Sequence, residues 1–333
     1  MARAWQLTSR PNGMPTKDNA ALADVTLPEL GDGMVHVRNT WLSVDPYMRG
    51  RMNDVKSYVP PFQIGQPMDG GAVGEVVESR DPNFAVGDNV LHMAGWRDEA
   101  VVPGSALNKL PNMPGVEPKE FLGNLGLTGG TAYFGLLEAA SAKAGDIVFV
   151  SAAAGAVGSA VVQIAKAKGM TVIGSAGGPD KCAFVKSLGA DQVIDYKAGP
   201  VIKSLIAAAQ AVGDGGIDVY FDNVGGDHLD AALAVGRKDA RFAMCGAIEN
   251  YNSGDATSLR YIMRIIGMRM RLQGFIYTDY LGQLGPFYKD MGAMMAAGQL
   301  KSRDTVVEGL DQTLDAFLGL FTGANTGKML VKL

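Results

Sequence analysis

The feature that most restricts this chain is the run Ser151-Ala152-Ala153-Ala154-Gly155-Ala156-Val157-Gly158, because of what stands on either side of it. The apolar Ile147 to Val150 precedes it as a strand, the helix-like Ser159 to Lys168 follows it, and a second strand begins at Thr171. Strand, glycine turn, helix and parallel strand form a βαβ unit, which is right-handed and belongs in a sheet covered on both faces. In such a turn Gly155 lets the backbone approach a pyrophosphate, and Gly158 lets the helix pack closely on the strand. The first helical turn, with Ala156 and Val157, offers free N–H donors to the phosphates. Ala153 stands where the usual G-x-G-x-x-G places its first glycine, so the flanking strand and helix carry the assignment more than the glycines do.

The same unit predicts which dinucleotide binds. NAD enzymes place Asp or Glu at the end of the second strand to hold the ribose 2′-OH. Here that place reads Gly174-Ser175-Ala176-Gly177-Gly178, with no carboxylate to repel a 2′-phosphate, and Lys181 follows at the start of the next helix. An ammonium there can pair with the phosphate, which selects NADPH/NADP+ as the cofactor, although a solvated surface lysine reads the same way.

Further strand candidates recur at Gln192–Asp195, Ile217–Asp222, Arg241–Cys245 and Met270–Ile276, mostly separated by helix-length segments. The expectation is an α/β, doubly wound parallel Rossmann sheet over 123–298. Before it, from Trp5 to Asn112, short apolar alternations broken by Gly, Pro and Asp predict a β-rich domain over 1–122. A Gly- and Ala-rich helical stretch, Leu122–Ala142, leads out of it. Strand, helix and strand from Thr305 to Leu333 return to that first domain, so 299–333 is expected to complete it. At 333 residues, about two domains of roughly 150 residues are the natural division.

Several functions are disfavoured. A formal net charge of −4 without a basic stripe leaves nothing to grip nucleic acid. The first dozen residues carry Arg3 and Arg10 and no apolar core, so neither a signal peptide nor a membrane anchor is expected, and the cytoplasm is the expected location. Only Cys182 and Cys245 are present, at no metal-ligand spacing, and His36, His92 and His228 are scattered. No metal site is expected, the histidines read as structural, and the chemistry rests on cofactor, bound donors and tyrosines.

Four runs then carry a resemblance: Ala152 to Gly158, Phe221-Asp222-Asn223-Val224-Gly225-Gly226, Cys245-Gly246-Ala247-Ile248 with Tyr251-Asn252, and Gly323-Ala324-Asn325-Thr326-Gly327-Lys328. With Asp45-Pro46-Tyr47-Met48-Arg49-Gly50 and Leu127 to Tyr133, they resemble the zinc-independent prostaglandin and 2-alkenal reductases of the medium-chain dehydrogenase/reductase superfamily, bacterial curcumin reductases included. Where zinc-dependent relatives carry Gly-His-Glu, this chain reads Asp69-Gly70-Gly71.

The resemblance implies a GroES-like first domain and NADPH-dependent reduction of a C=C bond conjugated to a carbonyl, in a small enal or enone. Hydride adds to the β-carbon, and the resulting enolate oxygen needs donors. It implies that Tyr251 lies near the nicotinamide ribose and the substrate oxygen. Lys181, Tyr196, Asn223, Asn325 and the run Cys245, Gly246, Ala247, Ile248 become cofactor contacts, Lys181 and Tyr196 at the 2′-phosphate. Tyr47 and Tyr58, in loops beside Arg49 and Arg51, are candidates to polarise the carbonyl, or packing anchors. Thr131, in a Gly129–Tyr133 turn, is a candidate contact to the nicotinamide amide or an ordinary helix cap. Phe275, Ile276 and Tyr277, ending a strand, are candidates to lie against the nicotinamide and at a homodimer edge. Loops 53–68 and 253–260 are expected to shape the substrate site. A quinone oxidoreductase, or a non-catalytic NADPH-binding protein, would use the same cofactor residues.

Overall fold

The computed structural model describes residues 1–253 and 257–333, so 254–256 of the expected 253–260 substrate loop lie outside the described residues. The chain divides into two compact units, Met1–Leu122 with Asp304–Leu333, and Gly123–Arg303.

The first unit opens with strands β1 (Ala2–Leu7), β2 (Ala20–Val25) and β3 (Met34–Ser43), then the single turn α1 (Met48–Arg51). Strands β4 (Ala72–Ser79), β5 (Asn89–His92), β6 (Glu99–Pro103) and β7 (Asn108–Lys109) follow. The second unit contains α2 (Leu127–Phe134), β8 (Ile147–Val150), α3 (Ala156–Ala167), β9 (Thr171–Ala176) and α4 (Pro179–Ser187). It continues through β10 (Gln192–Asp195), α5 (Val201–Val212), β11 (Ile217–Asp222), α6 (Gly226–Val235), β12 (Gly236–Met244), α7 (Arg264–Met268), β13 (Arg271–Gly274) and α8 (Leu284–Ala296). Strand β14 (Asp304–Glu308), α9 (Thr313–Thr322) and β15 (Lys328–Lys332) return to the first unit.

The second unit's sheet has the order β10-β9-β8-β11-β12-β13, every neighbouring pair parallel. All four residues of β8 are buried, as a central parallel strand covered on both faces requires. The order reverses between β8 and β11, and the crevice beyond the carboxyl ends at that reversal is where such sheets bind ligands. The first unit is β-rich: β14-β15-β3-β4-β5-β7 form one sheet, with β6 paired to β3. Parallel pairing of β14 with β15, and antiparallel pairing of β15 with β3, make the C-terminal segment an integral part of this unit.

Four local expectations need correction. The boundary falls after Arg303 rather than 298, because 299–303 is bonded into the second unit. Gln163 donates to the Lys301 carbonyl and accepts from its N–H, and Asn124 bonds Ser302. Strand β13 ends at Gly274, short of Ile276. Its partner β12 stops at Met244, where the Cys245 and Gly246 N–H groups turn to the Asp222 carbonyl, leaving residue 275 nothing to pair with. Thr131 is buried inside α2, not in a turn; the cap position is Gly126. The helix after the glycine loop begins at Ala156, three residues earlier than its pattern indicates.

Candidate active site

The glycine loop leaves β8 at Ser151 and enters α3 with Gly155 at the cap. A Cβ on Gly158 would collide with the Ala152 carbonyl and crowd Ala153 Cα at 2.9 Å, so only glycine permits this helix–loop approach. Gly155 has more room, its would-be Cβ standing 3.2 Å from the same carbonyl. The Ala153 N–H donates to the Ser175 carbonyl at 2.8 Å, tying the loop to β9. The first N–H groups of α3, at Ala156, Val157 and Gly158, have no acceptor inside the helix, and together with the side-chain-free cap they fit a pyrophosphate.

At the end of β9 the structure brings Lys181 and Tyr196 together with two residues that the sequence reading missed. Asp195, the last residue of β10, accepts from the N–H groups of Gly178 and Lys197, both at 2.9 Å. Those two hydrogen bonds pull its carboxyl below the usual carboxylate range. Burial, then the charge of Lys197, lowers the Lys181 ammonium from its ordinary pKa, so two cations stand at this corner. The tyrosine between Asp195 and Lys197 packs against Gly177, where a Cβ would be 2.6 Å from its hydroxyl. The signal available in sequence was the polar triplet Asp195-Tyr196-Lys197 directly after the third strand.

At the ends of β11 and β12 lies a buried polar knot. Asp222 is fully buried, and one of its carboxylate oxygens accepts from Tyr220 at 2.7 Å, Val224 N–H at 2.9 Å and Gly225 N–H at 2.8 Å. Burial raises its pKa against these donors. Asn223 donates its side-chain amide to the Ser151 carbonyl at 2.8 Å and its backbone N–H to the Ser151 hydroxyl at 2.9 Å. It therefore clamps the β11 turn to the glycine loop. Cys245, Gly246, Ala247 and Ile248 follow β12 around this knot, and burial beside Asp222 pushes the Cys245 thiol up to about 12. Tyr251 caps the short turn Ile248–Asn250, its hydroxyl over Gly246, 3.0 Å from where a Cβ would be.

Around α2, Tyr277 packs on Gly130, next to Thr131, and Phe275 packs on Gly135. Phe275 is buried and meets Phe221 edge-on at 6.1 Å, while Ile276 is half-buried between the two aromatics. Asn325 belongs to the other unit, where its amide donates to Gly327 O at 2.8 Å and closes the turn from α9 into β15.

In that first unit Tyr47 precedes α1. Burial, then the neighbouring Asp45, pushes its phenol far above the ordinary value, so it is a neutral O–H donor. Tyr58 is 62% exposed. Both arginines of α1 are buried: Arg49 donates to Asn53 and to Gly13 O, while Arg51 donates to Pro60 O and lies 4.0 Å from the centre of the Phe62 ring. They hold the loop and do not present a charge. Lys328 Nζ donates to Asp45 Oδ1 and Val44 O at 3.0 Å, and Ser43 donates to the other Asp45 oxygen. The motifs at 45–50 and 323–328 thus meet through one buried ion pair.

Where zinc-dependent relatives carry their triplet, Gly70 is packed by the end of the Met48 side chain and by the Trp96 ring. His36 bonds Glu99, His92 bonds Asn39 and His228 bonds Ser175, each at about 3 Å. Among the described residues no cluster of three or more His, Cys, Asp or Glu could hold a metal ion.

Comparison with known proteins agrees in family. Residues 3–110 match the N-terminal domain of oxidoreductases, and 156–295 match a family described as zinc-binding dehydrogenase. The chain is 40% identical over 337 residues to the NADPH-dependent curcumin reductase of Escherichia coli, covering 99% of this chain and 96% of that one. It is 40% identical to the NADP-dependent 2-alkenal reductase of Nicotiana tabacum over 327 residues, 96% of this chain and 94% of that one. The chain belongs to the zinc-independent prostaglandin and 2-alkenal reductase family. Members of this medium-chain dehydrogenase/reductase family share its backbone closely. The crystal structure of CurA from Vibrio vulnificus with NADPH superposes with a TM-score of 0.93 at 42% identity, over 99% of this chain and 98% of that one.

Proposed function

We propose that this protein is an NADPH-dependent reductase of the C=C bond in α,β-unsaturated aldehydes or ketones. The reading is carried by the end-to-end match to enal and enone reductases, in a chain with Lys181 and no carboxylate at the strand end that reads the ribose. When bound, NADPH would supply hydride for the substrate's β-carbon, and a proton from a donor or water would complete the reduction at the α-carbon.

Residues of different chemistry divide the work. Gly155, Ala156, Val157 and Gly158 hold the pyrophosphate; Lys181 and Tyr196, with Lys197 beside them, hold the 2′-phosphate. Asn223 and the run Cys245–Ile248 shape the site at the strand reversal, and Thr131, Phe275, Ile276 and Tyr277 complete its nicotinamide end; Asn325 is the first unit's candidate cofactor contact. As the β-carbon is reduced, the carbonyl oxygen becomes an enolate oxygen, and neutral hydroxyl donors stabilise it without a metal. Tyr251 serves as such a donor in the second unit; in the first unit Tyr47, a phenol kept protonated by burial, can donate at any working pH.

The protein is assigned to the cytoplasm as a homodimer. Two free thiols suit a reducing compartment. The outer edge of β13, approached by a segment with Ile262, Met263 and Ile266 exposed, suits pairing with a second copy. Among the described residues no helix is long and apolar enough to cross a membrane.

The test is loss of reduced-nicotinamide absorbance on a panel of trans-2-alkenals, a cyclic enone, a quinone and a saturated alcohol, with NADPH and with NADH. Turnover of alkenals or enones with NADPH is expected. Turnover of the quinone alone, or none despite tight NADPH binding, would overturn the assignment.

A further inference from the structure

His228 has no part in the roles above, yet it lies where it governs one of them. It is the third residue of α6 and only 5% exposed. Its Nε2 is 3.0 Å from the hydroxyl of Ser175, itself fully buried at the end of β9. Its ring lies nearly parallel to Phe149, at 6.4 Å and 10°, and meets Tyr196 edge-on, at 5.5 Å and 76°. Tyr196 also rests against Gly177. The phenol ring thus meets both a buried imidazole and the glycine turn after β9, while 41% of the residue stays open to solvent.

We infer that His228 is a positioning residue for the adenosine 2′-phosphate end of the cofactor site, fixing Tyr196 against the Gly177 turn and so contributing to the preference for NADPH over NADH. Two contacts set the imidazole, the hydrogen bond to Ser175 and the face-on packing with Phe149, so its ring has one orientation to offer Tyr196. Edge-to-face packing then restricts the phenol before any ligand arrives, and preorganisation of this kind raises affinity without adding a contact. Burial keeps the imidazole uncharged, so it acts as a wall and not as a third cation. The link from Ser175 to the glycine loop runs through its backbone carbonyl, which accepts from Ala153 N–H, and not through the hydroxyl that meets His228. The effect therefore belongs to 2′-phosphate recognition and not to the reduction step.

The inference rests on the reading that Lys181 and Tyr196 receive the 2′-phosphate, and the experiment separates the two. In the full-length protein, KM for NADPH and NADH, kcat at saturating NADPH, and binding of 2′,5′-ADP against 5′-AMP are measured. The variants are His228→Ala, His228→Phe, Ser175→Ala and Lys181→Ala, each checked by thermal midpoint. His228→Ala is expected to weaken 2′,5′-ADP and raise KM for NADPH about fivefold, the scale of one aromatic edge-to-face pair. KM for NADH, 5′-AMP binding and kcat are expected to stay within about twofold, since 1 kcal/mol is already about fivefold. His228→Phe keeps the ring without the Ser175 bond and is expected to restore most of the NADPH preference. Should His228→Ala fail to fold, the comparison of His228→Phe with Ser175→Ala decides. Equal losses for NADPH and NADH, a fall in kcat alone, or no change in a folded variant would overturn the inference while Lys181→Ala still lowers NADPH preference. If Lys181→Ala leaves the preference unchanged, the underlying reading fails and the inference with it.

Discussion

Replacing Lys328 with methionine tests whether the first unit depends on the buried pair joining its two ends. Lys328 and Asp45 have side chains only 5% and 9% exposed, with Nζ and Oδ1 3.0 Å apart. The ammonium also donates to Val44 O and Met329 O, both at 3.0 Å. Methionine keeps the length and apolar stem but leaves the Asp45 carboxylate with Ser43 as its donor, and removes the donor from two carbonyls. Removing one partner of a buried pair costs about 3–5 kcal/mol, because the other charge stays buried. At about 2–4 °C per kcal/mol for a domain of this size, the thermal midpoint should fall roughly 6–20 °C. Two units need not melt in one transition, so hydrogen exchange must locate the loss in β15 and residues 43–52. The double variant Asp45→Asn/Lys328→Met should recover about 2 kcal/mol, since no charge is then left unpaired. A midpoint within 2 °C or so of the parent for Lys328→Met would refute the reasoning.

Gly158→Ala should cost about 1–3 kcal/mol and raise KM for NADPH, because its Cβ meets backbone that cannot rotate away. Gly155→Ala, with 3.2 Å of clearance, should cost less, and parallel melting and initial-rate measurements give the order. Burial lowers His92 and His228 to about 4 from an ordinary value near 6.5. Their contribution to stability is therefore complete above pH 6.5 and lost as pH falls toward 4, by up to about 3 kcal/mol each. A thermal midpoint flat across pH 7 to 4.5 would contradict this. With its thiol at about 12, Cys245 should resist alkylation by iodoacetamide at pH 8 in the native protein and react on unfolding, as peptide mass spectrometry would show.

The NADPH cofactor was legible because its signal is residue types at one short spacing, a strand end with no carboxylate and a lysine that follows. Positions that depend on a partner strand or a distant contact were less legible. Strand β13 reads as running to Ile276 because Phe275 and Ile276 are as apolar as any strand, and only the end of β12 stops it. Thr131 reads as a turn residue because two glycines precede it, yet Tyr277 packs into the space they leave and α2 runs through.

By itself, then, the sequence determined the parallel sheet, the glycine loop and the carboxylate-free turn after the second strand, since strand length, helix period and turn chemistry are local properties. The tertiary structure alone decided that Asp45 and Lys328 form one pair, that Asp195 pins Gly178 beside Lys197, and that His228 backs Tyr196. These groups come from segments tens to hundreds of residues apart, and no periodicity along a chain records which of its distant polar groups must share one buried volume.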